Sequence, residues 1–450
     1  MRFGPLKAAG RVPVLGALAL AATLLVPGPA RAERFSLEQL YRLALERNER
    51  VRVAREQVFQ AKRDRDRAVS QILPRLAIEG TYQRYAAEKL GRFGTSAFVL
   101  LPESESSLQV VLRQPLFSGG RLRSGLRIAR AGIQASRQDA RVVREELLLR
   151  VGEAAYAVLK ARRDVEIAEM SVRQLEEHRR VAALRFQVGE LTRVALLRAE
   201  AELAGAKASR IRAREALETA REALRRLVDL PEPFVLEEPR EPDYTPPSLE
   251  ELLRLARTHR AELARSRWAR KIAEENVALA RSRFLPDLSL EGVYVRQDQN
   301  PRSPFFLEEV AYAGVRLTFP VFEGGLRRAE LRQARSRLVQ ASLEARALEK
   351  RIQEEVRRAR AAWVQLTASL EALRKQVAYA REGYAMAQKL FRHGLAAPLD
   401  VLDAHTRLIA AERDLAHTTY DRHVAVLRLQ RSIGRLSEHL GLAPENENRP

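Results

Sequence analysis

Asp400 and Asp403 are three residues apart, a spacing that sets two carboxylates on neighbouring positions of one helix face. His393 and His405 flank them, so a cation site is the first chemistry to weigh. A metal needs convergent ligands of suitable geometry, and His393 falls just before a turn glycine, Gly394, which leaves the four without metal-site spacing. Carboxylates there also suit the start of a helix, where the dipole makes each worth about 0.3–1 kcal/mol. Other chemistry is thinner still. The chain has no G-x-x-x-x-G-K-[ST] loop to cradle phosphates and no nucleophile elbow. It has no cysteine, which excludes disulfides, thiolate metal sites, cysteine catalysis and a lipid anchor on cysteine. These residues predict no enzyme, no cofactor and no resident metal.

The segment that positions the two aspartates is a second copy of an earlier one. Phe391-Arg392-His393-Gly394 repeats Phe186-Gln187-Val188-Gly189 at a shift of 205. Gln114-Pro115-Leu116-Phe117-Ser118-Gly119-Gly120 returns at the same shift of 205 as Phe319-Pro320-Val321-Phe322-Glu323-Gly324-Gly325. Leu73-Pro74-Arg75-Leu76-Ala77-Ile78-Glu79-Gly80 returns as Leu285-Pro286-Asp287-Leu288-Ser289-Leu290-Glu291-Gly292, shifted by 212. The chain is therefore a tandem duplication, with one loop shortened in the second copy.

Each copy reads as helix, strand pair, long helix, turn and helix. Ser36 with Gln39, and Ser248 with Glu251, are capping boxes that start the leading helices. These are expected to run unbroken to the Leu-Pro motifs, where the restriction on the residue before proline ends them. Beyond each proline the period falls to two. Leu76, Ile78, Gly80 and Tyr82 oppose Ala77, Glu79, Thr81 and Gln83, and Leu108, Val110 and Leu112 oppose Gln109, Val111 and Arg113. Leu288, Leu290, Gly292 and Tyr294, then Ala313, Val315 and Leu317, repeat the pattern. Strands of about ten residues with one apolar face suit the wall of a membrane barrel. Four strands are too few to close one.

After each Gly-Gly, apolar or small residues recur at steps of four and three: Leu122, Leu126, Ala129, Ile133, Ser136 and Ala140, matched by Leu331, Ala334, Leu338, Ala341 and Ala345. That is a heptad-like, alanine-rich seam on a helix roughly 100 Å long. The segments divide as residues 1–32, a secretory signal with the basic residues Arg2, Lys7 and Arg11 and the cleavage motif Ala30-Arg31-Ala32; 33–230, a first repeat with a hairpin at about 75–114 and a long helix at about 120–186; 231–247, a Pro- and Glu-rich connector; 248–434, a second repeat with a hairpin at about 287–319 and a long helix at about 325–391; and 435–450, a C-terminal tail expected to be disordered from Pro444.

The formal charge is +21, and +17 once the four basic residues of the leader are removed. The arginines are interleaved with glutamates along amphipathic helices, without a stacking platform of aromatics, so they read as solvated helix faces and not as a nucleic-acid site.

Taken together, the Gly-Gly junctions Gln114–Arg121 and Phe319–Leu326 and the tip segments Arg185–Thr192 and Phe391–Ala404 make the chain resemble the TolC-like outer membrane efflux protein family over its whole mature length. The resemblance implies a mainly α fold with a membrane β-barrel. In that fold a homotrimer gives four strands per chain to a twelve-stranded outer-membrane barrel, continued by a coiled-coil α-helical tunnel through the periplasm. It implies a passive exit duct for an efflux or type I secretion system, served by a periplasmic adaptor and an inner-membrane pump or ABC transporter, with outer-membrane lipid around the barrel. It carries the lining of the periplasmic aperture onto Asp400 and Asp403, and adaptor docking onto Gly189, Leu191, Gly394 and Leu395. Arg193 and Arg198 are the candidate gate partners of the aspartates. Many relatives carry a lipidated N-terminal cysteine, and this chain matches the non-lipidated branch. Two other classes stay open: a periplasmic adaptor, also exported and coiled-coil, and a soluble basic coiled-coil scaffold for nucleic acid.

Overall fold

A computed structural model describes residues 33–94, 96–231, 233–239, 244–303 and 306–442. The expected signal segment and the end of the tail lie outside these residues. In chain order the elements are β1 (Glu33–Phe35), α1 (Leu37–Arg47), α2 (Glu49–Ser70), β2 (Arg75–Arg84), β3 (Lys89–Phe93), β4 (Ser96–Leu101), β5 (Ser104–Ser118), α3 (Arg121–Gln187) and α4 (Arg193–Val228). The second half follows as β6 (Phe234–Leu236), α5 (Leu249–His259), α6 (Ala261–Ser282), β7 (Asp287–Asn300), β8 (Glu309–Thr318), α7 (Leu326–Arg392), α8 (Pro398–Ser432) and α9 (Leu436–His439).

Two helices of 67 residues run from the strands to the far tips. α3 packs against α2 and α4 of its own repeat and against α6 and α8 of the other, while α7 packs against α6, α8 and α5. Each long helix thus lies against a stack of two shorter ones, which is how an alanine-rich seam buries itself without a globular core.

At the opposite end from the tips, an antiparallel sheet has the order β2-β5-β7-β8. The β5–β7 pairing joins the two repeats, and β2 and β8 are left as edges. Leu76 and Ile78 are each 68% exposed on the apolar face, as is Val315 at 62%. Leu76 faces Leu112, and Leu288 faces Leu317, so the alternation read from the sequence becomes one continuous apolar surface. The strands meet the long helices through glycine pairs with positive φ: Gly119 and Gly120 at 59° and 90°, Gly324 and Gly325 at 59° and 88°. Two successive left-handed residues redirect the chain within one step, and a side chain at Gly119 would also strike the Ser282 carbonyl at 2.5 Å.

Several expectations need correction. The leading helices are not continuous. Asn48 leaves the helical region (ψ 128°) and accepts from the Arg50 amide, so it ends α1 and caps α2; Arg260 makes the equivalent break between α5 and α6. Asn48 also donates to the Leu227 carbonyl at 3.1 Å, which ties the break to the end of α4. The first hairpin extends to Ser118, because a bulge between Pro115 and Phe117 absorbs the proline that lacks a ladder donor. Its connecting loop is itself a β3–β4 ribbon. The Pro-rich connector is no simple linker: its β6 pairs in parallel with β1, and Phe234 and Leu236 are buried in the main core with Leu40, Tyr41, Leu148 and Leu224. Nor does the tail begin at 435. Leu436 is fully buried, and the Glu145 carboxylate accepts from the Leu436 and Ser437 amides at 3.2 and 3.1 Å, capping α9. Short amphipathic pieces of three or four residues carry no periodicity that a sequence reading can detect.

Candidate functional site

At the far ends of α3 and α7 the chain reverses twice. α3 ends at Val188, Gly189 takes φ 80°, and Thr192 starts α4 by accepting from the Ala195 amide. α7 ends at His393, Gly394 takes φ 79°, and the Leu395 amide donates back to the Leu390 carbonyl at 2.9 Å. A left-handed residue after a helix frees the orphan carbonyls to accept from the following amides, as happens here.

The two tips are fastened together by one side chain. Arg185, in the last turn of α3, donates to the Phe391 carbonyl at 2.9 Å and to Glu190 at 2.8 Å, and its guanidinium lies 5.1 Å from the centre of the Phe391 ring. Beneath this clasp is an apolar cluster of Tyr384, Phe391, Val401 and Leu408, with Val181 and Leu191 packed on it. Leu191 is therefore partly built into the tip. The outward apolar residues are Leu395 (75% exposed), Val188 (70%), Val194 (66%) and Leu399 (55%). Sequence reading missed Val188, Val194 and Leu399, although the shift of 205 pairs Val194 with Leu399 and could have exposed the repeat.

Asp400 and Asp403 both lie exposed in the first turns of α8. Asp400 accepts from the Ala397 amide at 2.9 Å, with Pro398 as the first helical residue. Asp403 pairs with Arg407, one turn along, at 2.7 Å. Within the protomer neither Arg193 nor Arg198 pairs with these carboxylates, and among the described residues neither forms any ion pair. The histidines go elsewhere. His393 is exposed at the end of α7, while His405 turns inward on the opposite side of α8 from Asp403. No group of three or more His, Cys, Asp or Glu among the described residues is arranged to hold a metal.

His405 instead belongs to a buried seam. Its ring lies 5.5 Å from that of Tyr384, and His178 of α3 lies 5.2 Å from Phe391. Both histidines are over nine-tenths buried, and neither Nε2 has a hydrogen-bond partner among the described residues. Burial, and secondarily the neighbouring His178, pushes the His405 pKa down to about 4. Burial lowers that of His178 as well. Burial drives the Tyr384 hydroxyl up to about 12, partly offset by the Gln388 hydrogen bond at 2.7 Å. The arrangement offers no nucleophile set against a base. It offers exposed carboxylates and apolar residues at a tip packed over buried histidines that burial keeps neutral.

No helix among the described residues is long and apolar enough to cross a membrane. The family model for outer membrane efflux proteins matches residues 40–229 and 252–435, one match per repeat. The outer membrane protein TolC of Vibrio cholerae is 31% identical over 319 residues, covering 68% of this chain and 71% of the relative. The alkaline protease secretion protein AprF of Pseudomonas aeruginosa is 27% identical over 423 residues, covering 91% and 86%. Among solved structures the channel CusC superposes with a TM-score of 0.78 at 21% identity over 88% of this chain and 92% of its own, which speaks for the fold.

Proposed function

The chain belongs to the outer membrane efflux protein family, and from that premise we infer how its parts serve as an outer-membrane exit duct for an efflux or secretion system. The observation that carries the reading is a four-stranded sheet with two open edges and an apolar outer face, joined through glycine pairs to two 67-residue helices. A lone sheet of that size cannot remain in lipid, because the unpaired amides and carbonyls of β2 and β8 would face hydrocarbon. Three copies, joined β8 to β2, satisfy both edges and make a twelve-stranded barrel. The assembly is a homotrimer, with its helices continuing the barrel as a tunnel through the periplasm.

The duct is passive, since no residue set described above supplies energy. A periplasmic adaptor and an inner-membrane pump or ABC transporter drive export, a reading in keeping with relatives of which one is named for alkaline protease secretion and another for efflux. The tips around Gly189, Leu191, Gly394 and Leu395, extended by Val188, Val194 and Leu399, meet the adaptor through exposed apolar side chains. Asp400 and Asp403 line the closed mouth, where three copies gather six carboxylates. Arg193 and Arg198, which form no ion pair among the described residues, reach the aspartates of a neighbouring chain. Cross-linking the detergent-extracted protein tests the assembly: products ending at three chains support it, and products ending at one or two refute it.

A further inference from the structure

The polar face of the sheet carries three arginines, and all are at the end nearest the helices. Arg75 opens β2, Arg113 of β5 is its direct cross-strand partner, and Arg316 lies close to the end of β8. Arg113 in turn faces Glu291 of β7. The Glu291 carboxylate is bridged at 2.9 Å by Arg113 and at 2.9 Å by Arg316, and the residue is only 6% exposed. One negative charge thus answers two positive ones. Arg75 is exposed and forms no ion pair among the described residues.

Like charges directly opposite on one face of an antiparallel pair are destabilising, and Arg75 with Arg113 is such a pair. Apart from Glu291, which Arg113 shares with Arg316, nearby carboxylates do not relieve it. Asp287 is held by Arg121 at 3.1 Å. Glu79, facing Gln109, and Glu105, facing Gln83, sit progressively farther toward the rim. The inner face is therefore sorted, with guanidinium in excess next to the helices and carboxylate beyond.

We propose that this level is an anion-binding collar at the junction of barrel and tunnel, taking multivalent oxyanions of the polyphosphate class. The proposal rests on the trimeric duct described above. In a closed ring, Arg316 of one protomer comes beside β2 of the next, so runs of three arginines alternate with single glutamates. Guanidinium forks bind oxyanions bidentately, and adjacent Arg75 and Arg113 offer two forks to one ligand. Focusing inside a low-dielectric wall strengthens that attraction. The duct then carries opposite signs at its two ends, carboxylates at the tip and guanidinium at the barrel base.

The test reconstitutes the full chain in planar bilayers and adds inorganic tripolyphosphate on the barrel side. Dose-dependent block is expected, weakening as salt rises. Arg75→Gln leaves the Glu291 bridges intact and should raise the half-blocking concentration at least fivefold, and Arg75→Lys should restore only part of the block. Asp400→Asn with Asp403→Asn should leave block from this side unchanged. Equal block in wild type and Arg75→Gln, or no block of an open wild-type channel, overturns the collar alone. A chain that forms no channel overturns the duct reading beneath it.

Discussion

Arg185 and Phe391 belong to different repeats, 206 positions apart, yet the guanidinium of one donates to the carbonyl of the other at 2.9 Å. The same arginine stacks on the ring of Phe391 and pairs with Glu190, so three interactions converge on a single side chain that is only 20% exposed. The two helical hairpins are clasped at their ends by this contact, and any motion that parts them must break it.

Arg185→Gln should therefore loosen the tip. A charge-assisted hydrogen bond of this kind contributes about 1.5–3 kcal/mol, enough to raise a closed channel's open fraction roughly tenfold or more. Single-channel recording checks this: longer and more frequent openings are expected, and an unchanged open fraction would remove the clasp from gating.

The turn glycines should tolerate no branched side chain. At φ 80° and 79°, Gly189 and Gly394 hold a conformation that costs a non-glycine residue about 1–3 kcal/mol. Around Gly189 there is open space, so the penalty of Gly189→Val is backbone strain and not collision. Either valine variant is expected to insert normally in the outer membrane and to lose export, measured as cargo retained in cells. Normal export by both would show that adaptor contact lies elsewhere.

The buried histidine seam predicts acid lability of the tip. The folded pKa of His405 is depressed to about 4, below its ordinary value near 6.5. The unfolded or opened form therefore takes up a proton first, and the closed tip is fully stable above pH 6.5. Its stability falls as pH drops from about 6.5 towards 4, by at most about 1.4 kcal/mol for each pH unit. Channel opening or tip proteolysis followed from pH 7 to pH 5 should show the transition, and His405→Phe should flatten it. A wild type indifferent to pH in that window would contradict the prediction.

The aspartates should set ion preference at the mouth. In the proposed trimer six carboxylates come near one axis and would attract cations even though the chain is strongly basic. Asp400→Ala with Asp403→Ala should lower cation preference in reversal-potential measurements and weaken block by multivalent cations added on the tip side. Unchanged selectivity would leave Asp400 only its capping bond to Ala397.

Sequence carried the long-range plan and concealed the short-range joints. The 205-residue repeat, the two-residue alternation of β2 and β5, and the glycine pairs at 119 and 324 are strong periodic or stereochemical signals, and the glycine pairs lie where the structure turns strand into helix. Asn48 and Arg260 were not legible as breaks, because neither residue is an obligatory helix breaker and the apolar stripe continues through both. The β1–β6 ribbon depends on a contact across 201 positions that no local pattern announces. At the site, the aspartates and turn glycines were readable, whereas the Arg185 clasp and the His178–His405 seam arise from two repeats meeting in space.

Barrel closure by three chains is the central claim, and the absence of cysteine from the chain allows a direct measurement. Thr81 of edge strand β2 and Tyr312, Gly314 and Arg316 of edge strand β8 share the polar face. Thr81→Cys, combined in turn with cysteine at each of the three β8 positions, scans the edge-to-edge register, since a disulfide forms only when Cα atoms come within about 4.4–6.8 Å. Oxidation in the membrane should give, for at least one combination, a covalent ladder that rises to three chains and stops. A ladder ending at two, one continuing past three, or bonding confined within single chains would contradict the account.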